Sequence, residues 1–270
     1  MTEQALVVPD SKALTVDQEL LDSLGMSAEQ LSSEAHAGFE NLRPEDYQIP
    51  RLQIAQAMSP QLVRSKPEYI PNLMVGQYFN TVTGEIYGDS IIVVPVRYSV
   101  SRIQFKDKAI DCRSSDGIEG AKSPLRTVTN PKTGKLEKVG GCAQCQFAKW
   151  GSGKDGKGTD CKEYRNWLLL DPNGSPISMS FKSSSLVVAK QWITLLSGRK
   201  ILVNGVKQDA PRYLTTFELK AVEKQSTLGT FLIPSVKVIG PTPGVIAKIA
   251  SDLNKSFKGE IADNAVDHEE

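Results

Sequence analysis

The stretch that decides the fold reads Ser90-Ile91-Ile92-Val93-Val94-Pro95-Val96-Arg97-Tyr98. Its β-branched residues favour an extended strand, and alternating apolar and polar residues continue it through Ser101-Arg102-Ile103-Gln104-Phe105. Pro95 has no N–H group to donate to a neighbouring strand, so the pattern predicts an edge or a bulge there. This segment is the clearest strand of a β-rich chain.

Shorter extended segments precede and follow this strand. A Pro172-Asn173-Gly174 turn joins two of them and is typical of a hairpin. Two helices are predicted, one from Leu186 to Leu196 and a last one from Pro243 to Phe257. The predicted shorter strands are Val75–Asn80, Glu85–Tyr87, Tyr164–Asp171, Pro176–Phe181, Tyr213–Val222 and Thr230–Ile239.

The cysteines lie together in one stretch rich in glycine and lysine, and they are Cys112, Cys142, Cys145 and Cys161. Cys142 and Cys145 form a C-x-x-C pair directly after Gly140-Gly141, the spacing by which one turn presents two thiolates to zinc. The chain's two histidines, His36 and His268, are far away in sequence. We therefore predict one structural Zn²⁺ held by four thiolates, with no open coordination position for catalysis.

Three other interpretations of the cysteines stay open. Two disulfides would need an oxidising compartment, and the start Met1-Thr2-Glu3-Gln4-Ala5-Leu6 does not have the pattern of a secretory leader. A redox C-x-x-C normally begins a helix that follows a strand, whereas the flanks of this pair are glycine and lysine. The third interpretation is four free thiols that form no site.

Together these segments predict a mainly β (α+β) fold. We expect an OB-fold-like Greek-key barrel with an inserted zinc-binding loop, one helix between strands and a C-terminal helix, although a β-sandwich would show the same local pattern. The barrel would span residues 47–257, with the zinc loop inserted at 106–162. An acidic, flexible arm would precede it at 1–46, where Ser27 and Gln30 have capping-box spacing, and an acidic tail would follow at 258–270.

Charge is strongly segregated along the chain, although the net charge is only +1. Residues 1–50 contain ten Asp and Glu against two Lys and Arg, whereas residues 97–224 contain twenty-three Lys and Arg against twelve Asp and Glu. A basic body between acidic ends is typical of a protein that binds a polyanion. No apolar run approaches the roughly 20 residues of a membrane span, so we expect a soluble, cytoplasmic protein.

Basic residues interleave with aromatic ones, as in proteins that bind single strands, where cations follow the phosphates and rings stack on bases. Trp150 and Tyr164 lie beside the glycine-rich loop and are the best stacking candidates, whereas Trp167 and Trp192 are expected in the core. The residues predicted to contact nucleic acid are Arg97, Arg102, Lys149, Trp150, Lys154, Lys157, Lys162, Tyr164, Arg165, Arg212 and Tyr213.

The sequence contains no recognisable catalytic constellation. Two histidines in the acidic end segments do not support a catalytic triad or an HExxH zinc site, and no G-x-x-x-x-G-K-[ST] phosphate loop occurs. We therefore expect a protein that is not an enzyme.

The acidic tail could occupy the predicted nucleic-acid-binding groove weakly, or it could bind replication or recombination proteins. The acids assigned to this role are Asp263, Asp267, Glu269 and Glu270.

Three segments carry a resemblance to a known family, namely Ile49–Pro60, Gly76–Tyr87 and Cys142–Glu163. They resemble tailed-phage and prophage proteins whose members are described either as uncharacterised or as single-stranded DNA-binding, and the resemblance spans about residues 49–240. The acidic tail is similar to those by which phage and bacterial single-strand binders recruit polymerases and helicases.

The residues and the resemblance lead to the same expectation. The protein would bind single-stranded DNA without strong sequence preference and act in phage DNA replication or recombination in the host cytoplasm. The alternative is a zinc-containing protein-interaction module, a phage regulator of host polymerase or of host defence. That module would have little affinity for nucleic acid and would use the acidic arm at 1–46 as its active surface.

Overall fold

A computed structural model describes residues 21–23, 25–27, 29–30, 48–226, 229–257 and 261. The chain divides into two compact units, Met1–Ile49 and Pro50–Glu270. In the first unit, the backbone N–H of Ser27 donates to Oε1 of Gln30 (2.7 Å), and the N–H of Gln30 donates to Oγ of Ser27 (3.2 Å). The predicted capping box is therefore confirmed. The rest of the predicted arm lies almost entirely outside the described residues, as does the tail at 258–270 apart from Ile261.

The second unit is built mainly from β-strands, so the prediction of a mainly β (α+β) chain is confirmed. Three α-helices of this unit are also described, namely α1 (Gly141–Gln144), α2 (Leu186–Ser197) and α3 (Gly244–Ser256). The strands are β1 (Leu52–Ile54), β2 (Tyr78–Asn80), β3 (Ile86–Gly88), β4 (Ser90–Lys106), β5 (Ala109–Ser114), β6 (Leu125–Thr129), β7 (Leu136–Gly140), β8 (Cys161–Leu170), β9 (Pro176–Lys182), β10 (Lys200–Val203), β11 (Val206–Asp209), β12 (Thr215–Ser226) and β13 (Gly229–Pro241).

The central sheet has the strand order β13-β12-β4-β8-β9, with β5 also paired to β4. All of these pairings are antiparallel. β4 is 17 residues long and is used on both edges. Residues Ser90–Val93 pair with β12 and residues Arg102–Lys106 with β5, while the opposite edge pairs with β8 from Val94 to Gln104. The predicted strand from residue 90 to residue 105 is therefore one continuous strand.

Irregularities in β4 bend this long strand. The register with β8 shifts between Pro95 and Arg97, as the proline predicts, because Pro95 cannot complete a regular ladder. A second shift, relative to β5, lies between Gln104 and Phe105. The two bulges divide β4 into a segment at the core, a middle segment and an end that supports the cysteine-rich region.

Residues 50–56 connect the two margins of the central sheet. At the β9 margin, the N–H of Ser178 donates to the carbonyl oxygen of Pro50 at 2.8 Å. At the β13 margin, the side-chain amide of Gln56 forms the two hydrogen bonds that the backbone of a neighbouring strand would form. Its Nε2 donates to the carbonyl oxygen of Leu232, and its Oε1 accepts from the N–H of Leu232, both at 2.9 Å. The backbone N–H of Ser178 and both backbone polar groups of Leu232 are thereby satisfied on the two outer strands.

The hydrophobic core is formed by residues of the central sheet and of helix α2. Trp192 of α2 stacks on Trp167 of β8, with ring centroids 4.3 Å apart and an interplanar angle of 20°. Phe217 and Phe181 meet the Trp192 ring edge-on from β12 and β9. The expectation that both tryptophans belong to the core is confirmed. Their stacking connects the helix to the middle of the sheet.

Two hairpins were not anticipated from the sequence. β4 and β5 are joined by Asp107-Lys108, which adopt positive φ values of 52° and 67° without any glycine. β10 and β11 are joined by Asn204-Gly205, with φ values of 51° and 79°. Both are two-residue turns whose left-handed conformations match the twist of the strands.

No helix among the described residues is long and apolar enough to cross a membrane.

The role of Gln56 is testable. Gln56→Ala removes both hydrogen bonds to Leu232 and leaves one backbone donor and one acceptor without a partner, so we expect the free energy of unfolding to fall by about 1–3 kcal/mol. Urea denaturation followed by circular dichroism measures this change. Gln208→Ala, at an exposed position of β11, is the matched control. Equal stability of the two variants would contradict the proposed connection.

Candidate nucleic-acid interface and cysteine centre

The end of β4 positions two of the four cysteines. Gln104 is in register with Cys112 of β5 on one side and with Cys161 of β8 on the other. Residues that face each other across neighbouring strands project from the same face of a sheet, so both thiols share the face of Gln104. Nε2 of Gln104 donates to Oδ2 of Asp160 at 2.6 Å, which fixes the chain just before Cys161.

The other two cysteines lie on a turn that starts at a double glycine. Gly140 and Gly141 have φ values of 91° and 71°, and a Cβ atom there would lie 2.5 Å from the carbonyl oxygen of Pro124 and 2.6 Å from that of Ile118, respectively. Only glycine satisfies both the conformation and the space. The N–H of Cys145 then donates to the carbonyl oxygen of Cys142 at 3.3 Å and closes the turn.

Residues 118–120 connect the turn to β5. The N–H of Cys142 donates to the carbonyl oxygen of Ile118 at 2.7 Å, while a Cβ atom on Gly120 would lie 3.0 Å from Sγ of Cys112. Asp116 holds this segment in place, because its Oδ1 accepts the N–H of Ile118 at 2.7 Å. The same hydrogen bond lowers the pKa of the Asp116 carboxyl group. The chain between Cys112 and Cys142 therefore folds back and carries both cysteines to one region.

All four cysteines are free thiols in one electrostatic neighbourhood. Burial raises the pKa of Cys161 to about 11; the nearby Arg102 opposes this, and the negative charges of the Cys142, Cys112 and Cys145 thiolates add to it. In the described part of the chain, however, no three His, Cys, Asp or Glu side chains lie close enough together to hold a metal ion. The zinc ion therefore stays a prediction, and the predicted ligands would have to draw closer together on binding it.

A compact glycine-rich loop follows the cysteine turn and carries the most exposed tryptophan. The N–H groups of Gly151 and Gly153 both donate to the carbonyl oxygen of Gly158, at 2.7 and 3.3 Å. The Ser152 hydroxyl donates to the carbonyl oxygen of Phe147 at 2.8 Å and accepts the N–H of Asp160 at 3.0 Å. These bonds fix the backbone of the loop without using aromatic packing, and the indole of Trp150 is left 84% exposed.

Four of the predicted lysines surround this tryptophan in sequence, and their side chains are exposed. They are Lys149, Lys154, Lys157 and Lys162. Lys162 donates to the carbonyl oxygen of Thr159, which directs it toward the loop. No salt bridge joins any of the four to a carboxylate among the residues that the structure describes. The loop segment therefore combines one exposed aromatic ring with four exposed lysines.

The predicted arginines of β4 and β8 have a different role. Arg102 and Arg165 both form ion pairs with Glu163, and Arg165 also donates to the hydroxyl oxygen of Tyr98 at 2.8 Å. These side chains are about four-fifths buried. Because their guanidinium groups already have internal partners, we assign them to the frame of the site. The predicted direct contact of Arg102 and Arg165 with nucleic acid is not supported by this placement.

The remaining predicted contacts are not brought to the loop. Tyr164 is only 3% exposed and packs against Ile103, so the expectation that it stacks on a base is wrong: its position in β8 points its ring into a small apolar cluster.

Arg97 donates to the carbonyl oxygen of Phe257 and lies over its ring at 5.8 Å, which anchors the end of α3. Arg212 and Tyr213 lie in a turn that contacts β4 and α3. The predicted tail acids Asp263, Asp267, Glu269 and Glu270 lie outside the described residues.

Sequence reasoning missed one set of cations. Looking for cations beside aromatic residues selected the glycine-rich loop and left out the cations of the β6–β7 hairpin. The hairpin itself is predicted by its turn, Asn130-Pro131-Lys132-Thr133-Gly134-Lys135, and is confirmed. A count of charge on each predicted element would have found the excess of cations in this hairpin.

Comparison with known proteins places the chain in a family. A family model described as Pam3 phage gp34-like protein matches residues 22–263 of the chain. No curated protein and no solved structure matches it. The matched range includes the whole central sheet, the four cysteines and the glycine-rich loop.

The burial of Cys161 predicts its reactivity. Because only the thiolate is nucleophilic and the pKa of Cys161 is raised to about 11, its thiol stays protonated at pH 8 in metal-free protein. We expect iodoacetamide to modify Cys161 last, after the partly exposed Cys112 and Cys145, as measured by peptide mass spectrometry over time. Modification of Cys161 as fast as Cys145 would contradict the described burial.

Proposed function

The chain belongs to the Pam3 phage gp34-like family, and we propose that it binds single-stranded DNA through the loop inserted between β4 and β8, without strong sequence preference and without enzymatic activity. In the phage it would act in DNA replication or recombination. The observation that carries the proposal is the 84% exposed indole of Trp150 on a rigid, lysine-rich loop.

The topology supports an OB-like barrel as the scaffold for this activity. In chain order, the five strands of the barrel would be β4, β8, β9, β12 and β13, and helix α2 lies between the third and fourth of them, β9 and β12. In the sheet, their order is β13-β12-β4-β8-β9. Residues 50–56 would close the barrel between its third and fifth strands. OB-folds bind oligonucleotides with the face of strands two and three and with the loops that follow strands one and four. The cysteine-rich insertion occupies the first of those loops.

The chemistry of the loop suits a single strand better than a duplex. A base can stack on an exposed indole only when it is free of a partner strand. Lysines that form no ion pair with a carboxylate of the described residues would attract the phosphates on either side. An indole exposed to water contributes nothing to the stability of the loop, whose backbone is already fixed by the bonds of Gly151, Ser152 and Gly153. Stacking would remove this apolar surface from water. We expect the affinity to depend strongly on salt.

We also propose that Cys112, Cys142, Cys145 and Cys161 hold one structural Zn²⁺. Four thiols and no carboxylate or imidazole form the donor set of a closed, non-catalytic zinc site. The support comes from the fold-back of residues 118–120 and from the shared electrostatic neighbourhood of the thiols. Zinc would bring β5, the cysteine turn and β8 together, so that its binding energy orders the insertion.

The contact role of Trp150 gives the first test. Trp150→Ala should weaken binding of labelled oligo-dT by about 5- to 150-fold, because stacking of one base contributes about 1–3 kcal/mol. Trp150→Phe keeps a ring and should retain most of the affinity. Fluorescence anisotropy at two salt concentrations measures both variants. Unchanged affinity of Trp150→Ala would contradict the proposed contact.

The metal gives the second test. Purified protein should contain one zinc per chain by elemental analysis, and removal of the metal or Cys145→Ser should weaken binding of oligo-dT while the circular dichroism of the barrel is kept. Zn²⁺ added back to metal-free protein should restore affinity, whereas Mg²⁺ should not, because thiolates select soft cations. Full affinity without metal would contradict the role of zinc.

One observation favours the alternative of a protein-interaction module. The β10–β11 hairpin forms a two-stranded sheet of its own and exposes Leu202, Val203 and Val206. Exposed apolar side chains on a strand pair with free edges are typical of a protein contact. Co-purification of a host protein, together with no anisotropy change on either oligo-dT or duplex, would favour this function over the first.

A further inference from the structure

The β6–β7 hairpin is an isolated ribbon that projects from the cysteine centre. Its two strands form a sheet of their own, in register from Leu125 opposite Gly140 to Thr129 opposite Leu136. Every residue from Arg126 to Thr129 and from Pro131 to Lys138 is exposed. Leu136 is 74% exposed although it is apolar. None of these residues belongs to a hydrophobic cluster of the part of the chain that the structure describes.

The ribbon is strongly cationic. It contains Arg126, Lys132, Lys135 and Lys138 against one acid, Glu137. Oε1 of Glu137 accepts a hydrogen bond from the side-chain amide of Asn130 at 2.7 Å, so this acid is held at the turn. No carboxylate of the described residues forms an ion pair with any of the four cations. A surface of this kind is complementary to a polyanion.

The base and the tip of the ribbon are both well fixed. At the base, the hydroxyl of Ser123 donates to the carbonyl oxygen of Gly141 at 2.6 Å, and the N–H of Gly140 donates to Oε1 of Gln144 at 2.8 Å. At the tip, Oδ1 of Asn130 accepts the backbone N–H groups of Lys132 and Thr133 at 2.9 and 3.3 Å. The turn uses the backbone N–H groups of Lys132 and Lys135. No hydrogen bond or ion pair within the described residues involves their side chains, so both can reach a partner.

We propose that the β6–β7 ribbon inserts into a groove of duplex DNA beside the single strand bound by the glycine-rich loop. The protein would then prefer a junction between duplex and single strand. Two paired strands about 4.8 Å apart, with their side chains, fit the major groove, which is about 12 Å wide and admits a two-stranded ribbon. The proposal extends the proposed function, but it rests on a separate element with its own cations.

Charge complementarity is the reason for choosing DNA as the partner. The phosphates of a duplex line both sides of each groove, so cations near the tip and on both strands of a ribbon meet them at once. A protein partner would need apolar contact area, but the exposed apolar side chains of the ribbon, Val128 and Leu136, lie among the cations. Pro131 at the tip has no N–H group that water must satisfy when the tip is buried.

The test compares three labelled probes by anisotropy: oligo-dT, a blunt duplex, and the same duplex with a dT tail equal to the oligo-dT. The unmodified protein should bind the tailed duplex more tightly than oligo-dT. The double variant Lys132→Glu/Lys135→Glu should lose this preference by about ten-fold or more, and the slope of log affinity against log salt on the tailed duplex should become shallower by about two. Its affinity for oligo-dT should stay within about two-fold of the unmodified protein.

The control is Lys190→Glu/Lys207→Glu, which makes the same change of charge at exposed positions of α2 and β11. This control should keep the preference for the tailed duplex. Equal affinity of the unmodified protein for tailed duplex and oligo-dT would overturn the proposal, and so would equal loss in both double variants. Loss of oligo-dT binding in Trp150→Ala is a separate result, so failure of the ribbon and failure of the single-strand site remain distinguishable.

Discussion

Strand β4 is the constraint on which the rest of the structure depends. It pairs with β12, β8 and β5, and so the core and the cysteine centre both form on the same backbone. A strand of 17 residues cannot stay flat, because strands twist, and its two bulges accommodate that twist. The first half directs Ile91 and Val93 into the core with Trp167 and Trp192. The second half places Gln104 between Cys112 of β5 and Cys161 of β8.

The inserted region between β4 and β8 has too little apolar surface to fold as the core does. Its order comes from local bonds: the double glycine, the Asp116 turn and the backbone bonds to Gly158. Lys122 adds a contact of another kind, since it forms an ion pair with Asp111 and its ammonium lies 5.6 Å from the ring centroid of Phe147. If the proposed zinc binds, it would add stability to the insertion, and the loop would present Trp150 without rearrangement. Such a surface binds with little loss of conformational entropy.

The sequence predicts the elements with strong periodicity and fails where a turn lacks its usual residue or a signal is weighed wrongly. Helix α2 begins at Leu186 as predicted, and the Pro172-Asn173-Gly174 turn joins β8 to β9. β5 escaped prediction because Asp107 and Lys108 adopt positive φ without glycine, whereas Asn204-Gly205 was a clear hairpin signal that was overlooked. Tyr164 was misassigned because proximity in sequence to a glycine-rich loop does not reveal the face of β8 on which a ring lies.

The two proposed DNA-contacting surfaces share one base, the cysteine turn, with the ribbon before it and the glycine-rich loop after it. The central claim is that this insertion contacts nucleic acid. Photo-crosslinking of oligo-dT that contains 5-iododeoxyuridine, followed by mass spectrometry of the linked peptides, tests it most directly. The account predicts crosslinks within residues 149–162, with Trp150 as the main site. Crosslinks confined to other parts of the chain, such as β10 and β11, would contradict it.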